Sequence, residues 1–176
     1  MKNLALEKGT AVLVTDEAER LYFTGFHSTF GYLVLSDRPV FFTDARYFAA
    51  AKARITGAEV RLSSELAAVG EELAAQRIAR LGLDETVTSV SLYRSVEALG
   101  LPLFDASAAL ADAMAVKSAE EISLIEASCR ITQDSLYAAL GAVREGIAER
   151  ELAAEIEYQM KKRGATKTSV DLIVAF

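Results

Sequence analysis

His27 is the single histidine of this chain and Cys129 its single cysteine, so any chemistry that needs an imidazole or a thiolate runs through one of two positions. Helical zinc-protease motifs need two histidines one turn apart and zinc knuckles need several Cys or His, so this chain can build neither. A reactive cysteine needs a base or a cationic cluster beside it. Cys129 has neither in sequence and falls on an apolar helical stripe, which predicts core packing. Acidic pairs stand at Asp16/Glu17, Glu71/Glu72, Asp84/Glu85 and Glu120/Glu121. Adjacent carboxylates point apart on a helix, and these fall mostly in first turns, so they read as caps and solvated faces. A two-metal hydrolase centre needs carboxylates and imidazoles converging on ions about 3.5–4 Å apart, a set that cannot be assembled here. The segment Leu21–Ser28 (LYFTGFHS) holds more promise: an aromatic-rich helix end breaks at Gly25 into a loop carrying Phe26, His27 and Ser28, and loops carry function more often than cores do. A lone His beside aromatics is more often structural, so both readings of His27 stay open.

The composition narrows the classes further. With 176 residues, the chain suffices for one ordinary domain, or a small domain plus part of another. Its 52% hydrophobic content argues for a packed core rather than disorder. A formal net charge of -6 opposes a nucleic-acid partner, because counterion release from phosphates needs basic side chains. No Gly-x-Gly-x-x-Gly or Gly-Lys-Ser/Thr loop offers amides to a nucleotide. The apolar runs are far shorter than the roughly 20 residues that span a bilayer, so no membrane segment is expected. Met1–Lys8 interleaves Lys2, Glu7 and Lys8 with aliphatics and lacks the apolar stretch of a secretory signal. Together with the lone cysteine, this predicts a cytoplasmic protein.

The elements that must position these residues alternate. A β-branched run over 9–15 predicts a strand, and the runs 30–36 and 40–43 around Asp37-Arg38-Pro39 predict a hairpin. Asp44 is expected to cap a helix from Ala45 to about Ile55, with Tyr47, Ala51 and Ile55 on one face and Gly57 ending it. Strands follow at 59–62, 80–84 and 101–105. Helices are expected from a Ser63 cap to about Ala79, over 88–99, and from a Ser107 cap to about Met114. At Ser118-Ala-Glu-Glu121 a capping box opens a long helix whose stripe is Ile122, Ile125, Cys129, Thr132, Leu136 and Leu140. A second helix from about Glu149 carries Leu152, Ile156 and Met160, and Gly164 ends it. Val170–Phe176 (VDLIVAF) predicts a buried strand with no turn or polar tail after it, so the sequence is expected to be interrupted there.

Three stretches carry a family resemblance. RLYFTGFHSTFGYLVLSDRPVFFTDARYFAAAKA (20–53) resembles the N-terminal domain of prolidases and Xaa-Pro aminopeptidases of the creatinase family. AVKSAEEISLIEASCRIT (115–132) and GIAERELAAEIEYQMKKRGA (146–165) are similar to the linker and first two helices of the catalytic domain, and VDLIVAF to its first strand. Met114-Ala115 departs from the pattern, since family members often carry an arginine there. The resemblance implies an α/β fold, a mixed β-sheet flanked by helices of the creatinase N-terminal, ribonuclease-H-like kind, over 1–114. The first helices and strand of an α+β pita-bread domain would follow over 115–176.

For the parent protein, the resemblance implies hydrolysis of peptide bonds preceding proline by two divalent ions, manganese or cobalt, held by two Asp, one His and two Glu. None of the five can be placed in this chain. No catalytic residue, metal ligand or bound cofactor is therefore assigned to it, and the chain alone is expected to be inactive. The resemblance also implies a homodimer acting on a proline-containing dipeptide or peptide. The loop of Phe26, His27 and Ser28 would then cover the partner's active site as a substrate gate. Asp44, Arg46 and Tyr47 match a family motif too, but a helix cap and a packed aromatic ring explain Asp44 and Tyr47 without chemistry. The competing reading is a stand-alone, non-catalytic peptide-binding or dimerisation module. A carboxylate-metal nuclease is opposed by the net charge of -6.

Overall fold

The computed structural model describes residue 2 and residues 4–176, so Met1 and Asn3, part of the reading of the N-terminus, lie outside the described residues. The chain divides into two units, Met1–Val116 and Lys117–Phe176.

The first unit is built on a six-stranded mixed sheet in the order β4-β3-β2-β1-β5-β6. The strands are β1 (Thr10–Val14), β2 (Tyr32–Leu35), β3 (Val40–Thr43), β4 (Glu59–Leu62), β5 (Arg80–Leu83) and β6 (Leu103–Asp105). β2 alone runs against the others, pairing antiparallel with β1 and β3, while β1–β5, β3–β4 and β5–β6 are parallel. The helices of this unit are α1 (Glu17–Thr24), α2 (Ala45–Arg54), α3 (Leu66–Ala75), α4 (Val90–Glu97) and α5 (Ser107–Ala115). Parallel neighbours need crossover connections, which α2 supplies between β3 and β4 and α4 between β5 and β6.

Both faces of the sheet are covered, so the central strands are apolar throughout. Because side chains alternate, Val12, Val14, Leu33, Leu35 and Phe41 point to one core with Phe23, Phe26, Ala51, Ile55 and Leu110. Ala11, Leu13, Val34, Phe42, Leu81 and Leu83 point to the other, with Val69, Leu73 and Val96. A fully buried side chain of this size contributes about 1.5–3 kcal/mol, so α1, α2 and α5 are held on one face and α3 and α4 on the other mainly by burial.

Two expected caps differ. α3 begins at Leu66 and ends at Ala75, with Glu65 rather than Ser63 at its N-cap, because the Ser63 hydroxyl accepts from Glu65 N–H in a local turn instead. Arg77, with φ 57°, turns the chain before it could reach Ala79 as helix. Ser107 is the first residue of α5 rather than its cap; its hydroxyl donates to Asp105 and accepts from Glu85 N–H at 3.0 Å.

In the second unit, α6 (Ala119–Leu140) and α7 (Glu149–Lys162) form a helix pair. The capping box is present, with Glu121 N–H on Ser118 Oγ at 3.2 Å and Ser118 N–H on Glu121 Oε2 at 2.8 Å. Leu152, Ile156 and Met160 are buried on α7 as expected. The expected stripe of α6 is not its buried face: Ser135 and Ala139 are buried, while Ile122, Ile125, Leu136 and Leu140 are exposed. Ala139 packs with Leu152, Ile156 and Met160 of α7, so the face of α6 turned to α7 is not the apolar stripe. Cys129 is accordingly exposed, not packed in a core. Residues 170–176 pair with no strand among the described residues. The period of two survives, since Leu172 and Val174 lie against the α7 cluster while Ile173 is exposed.

Candidate functional site

The topology brings one set of loops to one edge of the sheet. The carboxyl ends of β1, β3, β5 and β6 meet there with the start of β2, because only β2 is reversed. In open α/β sheets that edge is the usual place for a ligand crevice. The residues delivered to it are Asp16 and Glu17, the His27 loop, Asp44, Asp84 and Asp105.

Helix α1 determines where His27 stands. Asp16 caps it, its Oδ1 accepting from Ala18 N–H at 2.8 Å and Glu19 N–H at 3.1 Å. At the other end Gly25 adopts φ 70° and its N–H closes on Leu21 C=O, the left-handed stop that glycine makes without penalty. Thr24 Oγ1 donates to Arg20 C=O at 2.6 Å and accepts from Phe26 N–H at 3.1 Å, which fixes the first loop residue.

The three expected loop residues then separate. Phe26 is buried in the first core, edge-on to Phe41 at 6.3 Å and to Tyr47 at 6.4 Å between ring centroids. Ser28 is buried as well, its C=O accepting from Arg20 Nη2 at 2.8 Å. Only His27 faces solvent, 62% exposed at its side chain, with Nε2 at 2.7 Å from Glu17 Oε1. Burial thus makes Phe26 and Ser28 anchors and leaves His27 as the presented group. Thr29 Oγ1 and Tyr47 Oη, 2.7 Å apart, tie the far side of the loop to α2. Asp44 caps α2, and the hydrogen bond from the Arg46 side chain holds its carboxyl below the usual range.

Beside the loop lies an open cleft of about 320 Å³ lined by Asp16, Glu17, Arg20, Phe30, Tyr32 and Leu92, among others. A larger groove, about 640 Å³, runs along Leu4, Leu6, Leu35 and the β2–β3 turn, where Asp37 is the ionisable side chain among the described lining residues. The smaller cleft is the one that adjoins the His27 loop, and it carries Asp16, Glu17 and Arg20.

Three buried polar groups under the loop were not legible as such. Arg20 is 3% exposed and donates to Thr15 C=O and Ser28 C=O. Burial pulls its guanidinium below the ordinary value, against Asp16 and Glu17. Glu19 is 5% exposed; burial, then the hydrogen bond to Asp84, push its carboxyl up to about 8. Asp84 is 8% exposed, and there the donors win: burial raises it, but the hydrogen bonds from the Thr86 hydroxyl and N–H, with Glu19 beside them, hold it below its ordinary value. Asp84 and Glu72 thus depart from the expectation of solvated acidic pairs. Glu72 is buried and paired with Arg61, with Gln76 Nε2 donating to its other oxygen at 2.6 Å. The only sequence signal was the position of Asp84 at a strand end. Glu19 showed none, because its burial depends on which face α1 turns inward.

Among the described residues no group of three or more His, Cys, Asp or Glu stands together to hold a metal ion. No helix of the described residues is long and apolar enough to cross a membrane.

Residues 2–120 match the Creatinase/Prolidase N-terminal domain family, and residues 123–176 match Metallopeptidase family M24. An uncharacterized peptidase of Bacillus subtilis, YqhT, is 30% identical over 99% of this chain and 51% of its own length. An Xaa-Pro dipeptidase of Pyrococcus furiosus is 44% identical over 64 residues, 36% of this chain and 18% of that protein. Among solved structures, an X-Pro aminopeptidase from Thermotoga maritima superposes with a TM-score of 0.86 at 26% identity, covering 92% of this chain and 49% of that one. An Xaa-Pro dipeptidase from Bacillus anthracis gives 0.86 at 27% identity, covering 92% and 46%. This chain spans about half the length of the first-named relative and of both structures. The mixed sheet flanked by helices, the match over 2–120 and the change of family at 123 agree: the chain belongs to the Creatinase/Prolidase N-terminal domain family, as the N-terminal portion of a protein of the prolidase and aminopeptidase P type.

Proposed function

We propose that this chain is the gating and dimerisation portion of a cytoplasmic, homodimeric Xaa-Pro dipeptidase or aminopeptidase, and that His27 is the residue it presents to a proline-containing substrate. The observation that carries the reading is the contrast within one loop. Phe26 and Ser28 are buried, while His27 between them is exposed and oriented by Glu17 at 2.7 Å. Exposed side chains on rigidly anchored loops are suited to contact a ligand without paying for loop ordering.

Two divalent metal ions, manganese or cobalt, would supply the hydrolytic chemistry of the whole protein, activating water and polarising the scissile carbonyl. The residues present here do not fit such a centre: the chain has one histidine, and no cluster of three potential ligands occurs among the described residues. No step is assigned to this chain beyond positioning, and the domain boundary is placed near residue 115.

Xaa-Pro dipeptide hydrolysis by the 176-residue chain and by a protein extended through a complete M24 domain, each with and without added manganese, tests the reading. Turnover is expected only in the extended protein with metal. His27→Ala in that protein should raise KM several-fold with a smaller change in kcat, because positioning rather than bond-breaking is lost. Cleavage of a prolyl bond by the purified 176-residue chain, abolished by a chelator, would sink the assignment, and unchanged kinetics in His27→Ala would make the loop structural. Peptide binding without turnover in either protein would favour the non-catalytic module.

A further inference from the structure

Helix α3 ends in a geometry that glycine ordinarily serves. Ile78 N–H closes on Leu73 C=O at 2.9 Å and Arg77 N–H on Ala74 C=O at 3.0 Å, the paired contacts of a Schellman ending, which needs a left-handed residue just past the cap. After α1, α4 and α7 the left-handed residue is Gly25, Gly100 or Gly164; here it is Arg77, at φ 57°, the one non-glycine with positive φ among the described residues. A side chain in that region is strained. Closing a helix does not require it, so the arginine side chain itself calls for a reason.

Arg77 lines a cavity of about 220 Å³ together with Lys8 and Arg38, three cations from three separate segments. Backbone and amide contacts fix those segments to one another. Gly9 C=O accepts from Ala79 N–H at 2.7 Å, which ties the Lys8 segment to the chain just after Arg77. Gln76 Nε2 donates to Arg38 C=O at 2.8 Å and Gln76 Oε1 accepts from Ser36 Oγ at 2.7 Å, which ties the β2–β3 turn to the same helix end. The walls are therefore in place before a ligand arrives.

The charges are not neutralised where they stand. Among the described residues Lys8, Arg38 and Arg77 enter no ion pair, whereas Arg46, Arg61, Arg130 and Arg144 each do. Asp37 is the carboxylate among the lining residues, and Glu59, which feels the charge of Arg38, is already held by Arg61. Three cations against one carboxylate leave the cavity positive in a chain of net charge -6. The carboxyl end of α3 opposes an anion, but the N–H groups of Arg77 and Ile78 cover the carbonyls of Ala74 and Leu73. A cavity below the roughly 300 Å³ of sites for drug-sized ligands suits a compact ion. A tetrahedral oxyanion presents oxygens to donors arriving from several directions, guanidinium forks match it, and a phosphate group carries about -1.5 to -2 at neutral pH.

We propose that Lys8, Arg38 and Arg77 form a binding site for a phosphate dianion, either the free ion or a small phosphomonoester. The site lies at the amino ends of β1 and β5 and at the β2–β3 turn, the end of the sheet opposite the His27 loop. It stands whether or not His27 meets a substrate.

Backbone amide shifts of the 176-residue chain, titrated at low ionic strength with inorganic phosphate, glycerol phosphate or succinate, read the site. Saturable shifts centred on 8–10, 36–39 and 76–78 are expected, with a Kd for phosphate at or below about 1 mM. Tighter binding of glycerol phosphate assigns the site to a phosphomonoester, and equal or weaker binding assigns it to the free ion. Succinate binding as tightly as phosphate, or shifts still linear at about 10 mM, would overturn the proposal. Arg77→Gly removes the charge and relieves the backbone, so phosphate affinity should fall roughly tenfold while the urea midpoint without phosphate holds or rises. Arg54→Ala removes a charge from the end of α2, outside the cavity, and should change the affinity by less than about twofold. Unchanged affinity in Arg77→Gly, or an equal loss in Arg54→Ala, refutes the site. A lowered urea midpoint in Arg77→Gly shows that the arginine serves folding instead. If Arg77→Gly does not fold, Arg38→Ala decides by the same loss of affinity.

Discussion

Gly31→Ala offers a measurable test of how the loop is anchored. A Cβ at Gly31 would lie 2.7 Å from both Phe41 Cε2 and Phe41 Cζ, and 3.0 Å from Phe42 C=O. The carbonyl belongs to the β2–β3 ladder and the Phe41 ring is fully buried against Phe26, so neither yields freely. Overpacking of this kind costs about 1–3 kcal/mol. Phe41→Leu removes the ring atoms that clash, at its own cost of about 0.5–3 kcal/mol for lost burial. If the ring is the obstacle, the double variant should cost about as much as Phe41→Leu alone. The coupling energy then equals nearly the whole Gly31→Ala penalty. Urea titration followed by near-UV circular dichroism suits the measurement, because every Phe except Phe176 lies in the first unit. Additivity within about 0.5 kcal/mol would refute the reasoning, since it would mean that the two positions do not meet.

Thr24→Val should cost about 1–3 kcal/mol, because Phe26 N–H loses its acceptor in a buried place while the side-chain volume is kept; urea titration of the first unit checks it. Ser118→Ala should cost about 1 kcal/mol and shorten protection at the start of α6, as seen by amide exchange, since it removes one arm of the capping box. Residues 1–116 made alone should unfold cooperatively, whereas residues 117–176 alone should not. The second unit buries only Ala139, Leu152, Ile156 and Met160 among its apolar side chains, too little to offset chain entropy. Circular dichroism melts of the two fragments distinguish these outcomes.

Legibility in the sequence followed the physics of each element. β1, β2 and β3 were readable because both faces are covered, so Val12, Leu13, Val34 and Phe41 form apolar runs whichever way they point. Asp16 and Asp44 differ in the same light: Asp44 stood just before an apolar helical period and was read as the cap of a particular helix, while Asp16 was read only within the acidic pairs as a cap or solvated face, and both cap helices. The stripe of α6 misled because periodicity identifies a helix but does not say which neighbour arrives. Ser135 and Ala139 are the buried residues of that helix, and Ala139 joins the cluster on α7. Of the candidate site, the loop and its imidazole were legible at the Gly25 break, while the exposure of His27 between two buried neighbours was not. Glu19, Arg20 and Thr24 were not, since their burial is decided by tertiary packing rather than by residue type.

The buried polar side of α1 has a consequence for what the loop can do. Apolar residues at 19, 20 and 24 would fill the same space without desolvating charge, and such replacements are often neutral or stabilising. Burial alone therefore does not account for these residue types. What they supply is direction, since Arg20 reaches both Thr15 C=O, before the helix, and Ser28 C=O, after it, and so closes the α1 segment on itself. Thr24 sets the first peptide after the turn. Neither contact buries much apolar area, yet together they fix the backbone on both sides of His27 while leaving its ring exposed beside Glu17. An apolar helix would hold the same place on the sheet and lose that control, so the loop would sample many positions of the imidazole. The polar groups under the loop are best explained by the need to hold one exposed side chain in a defined place.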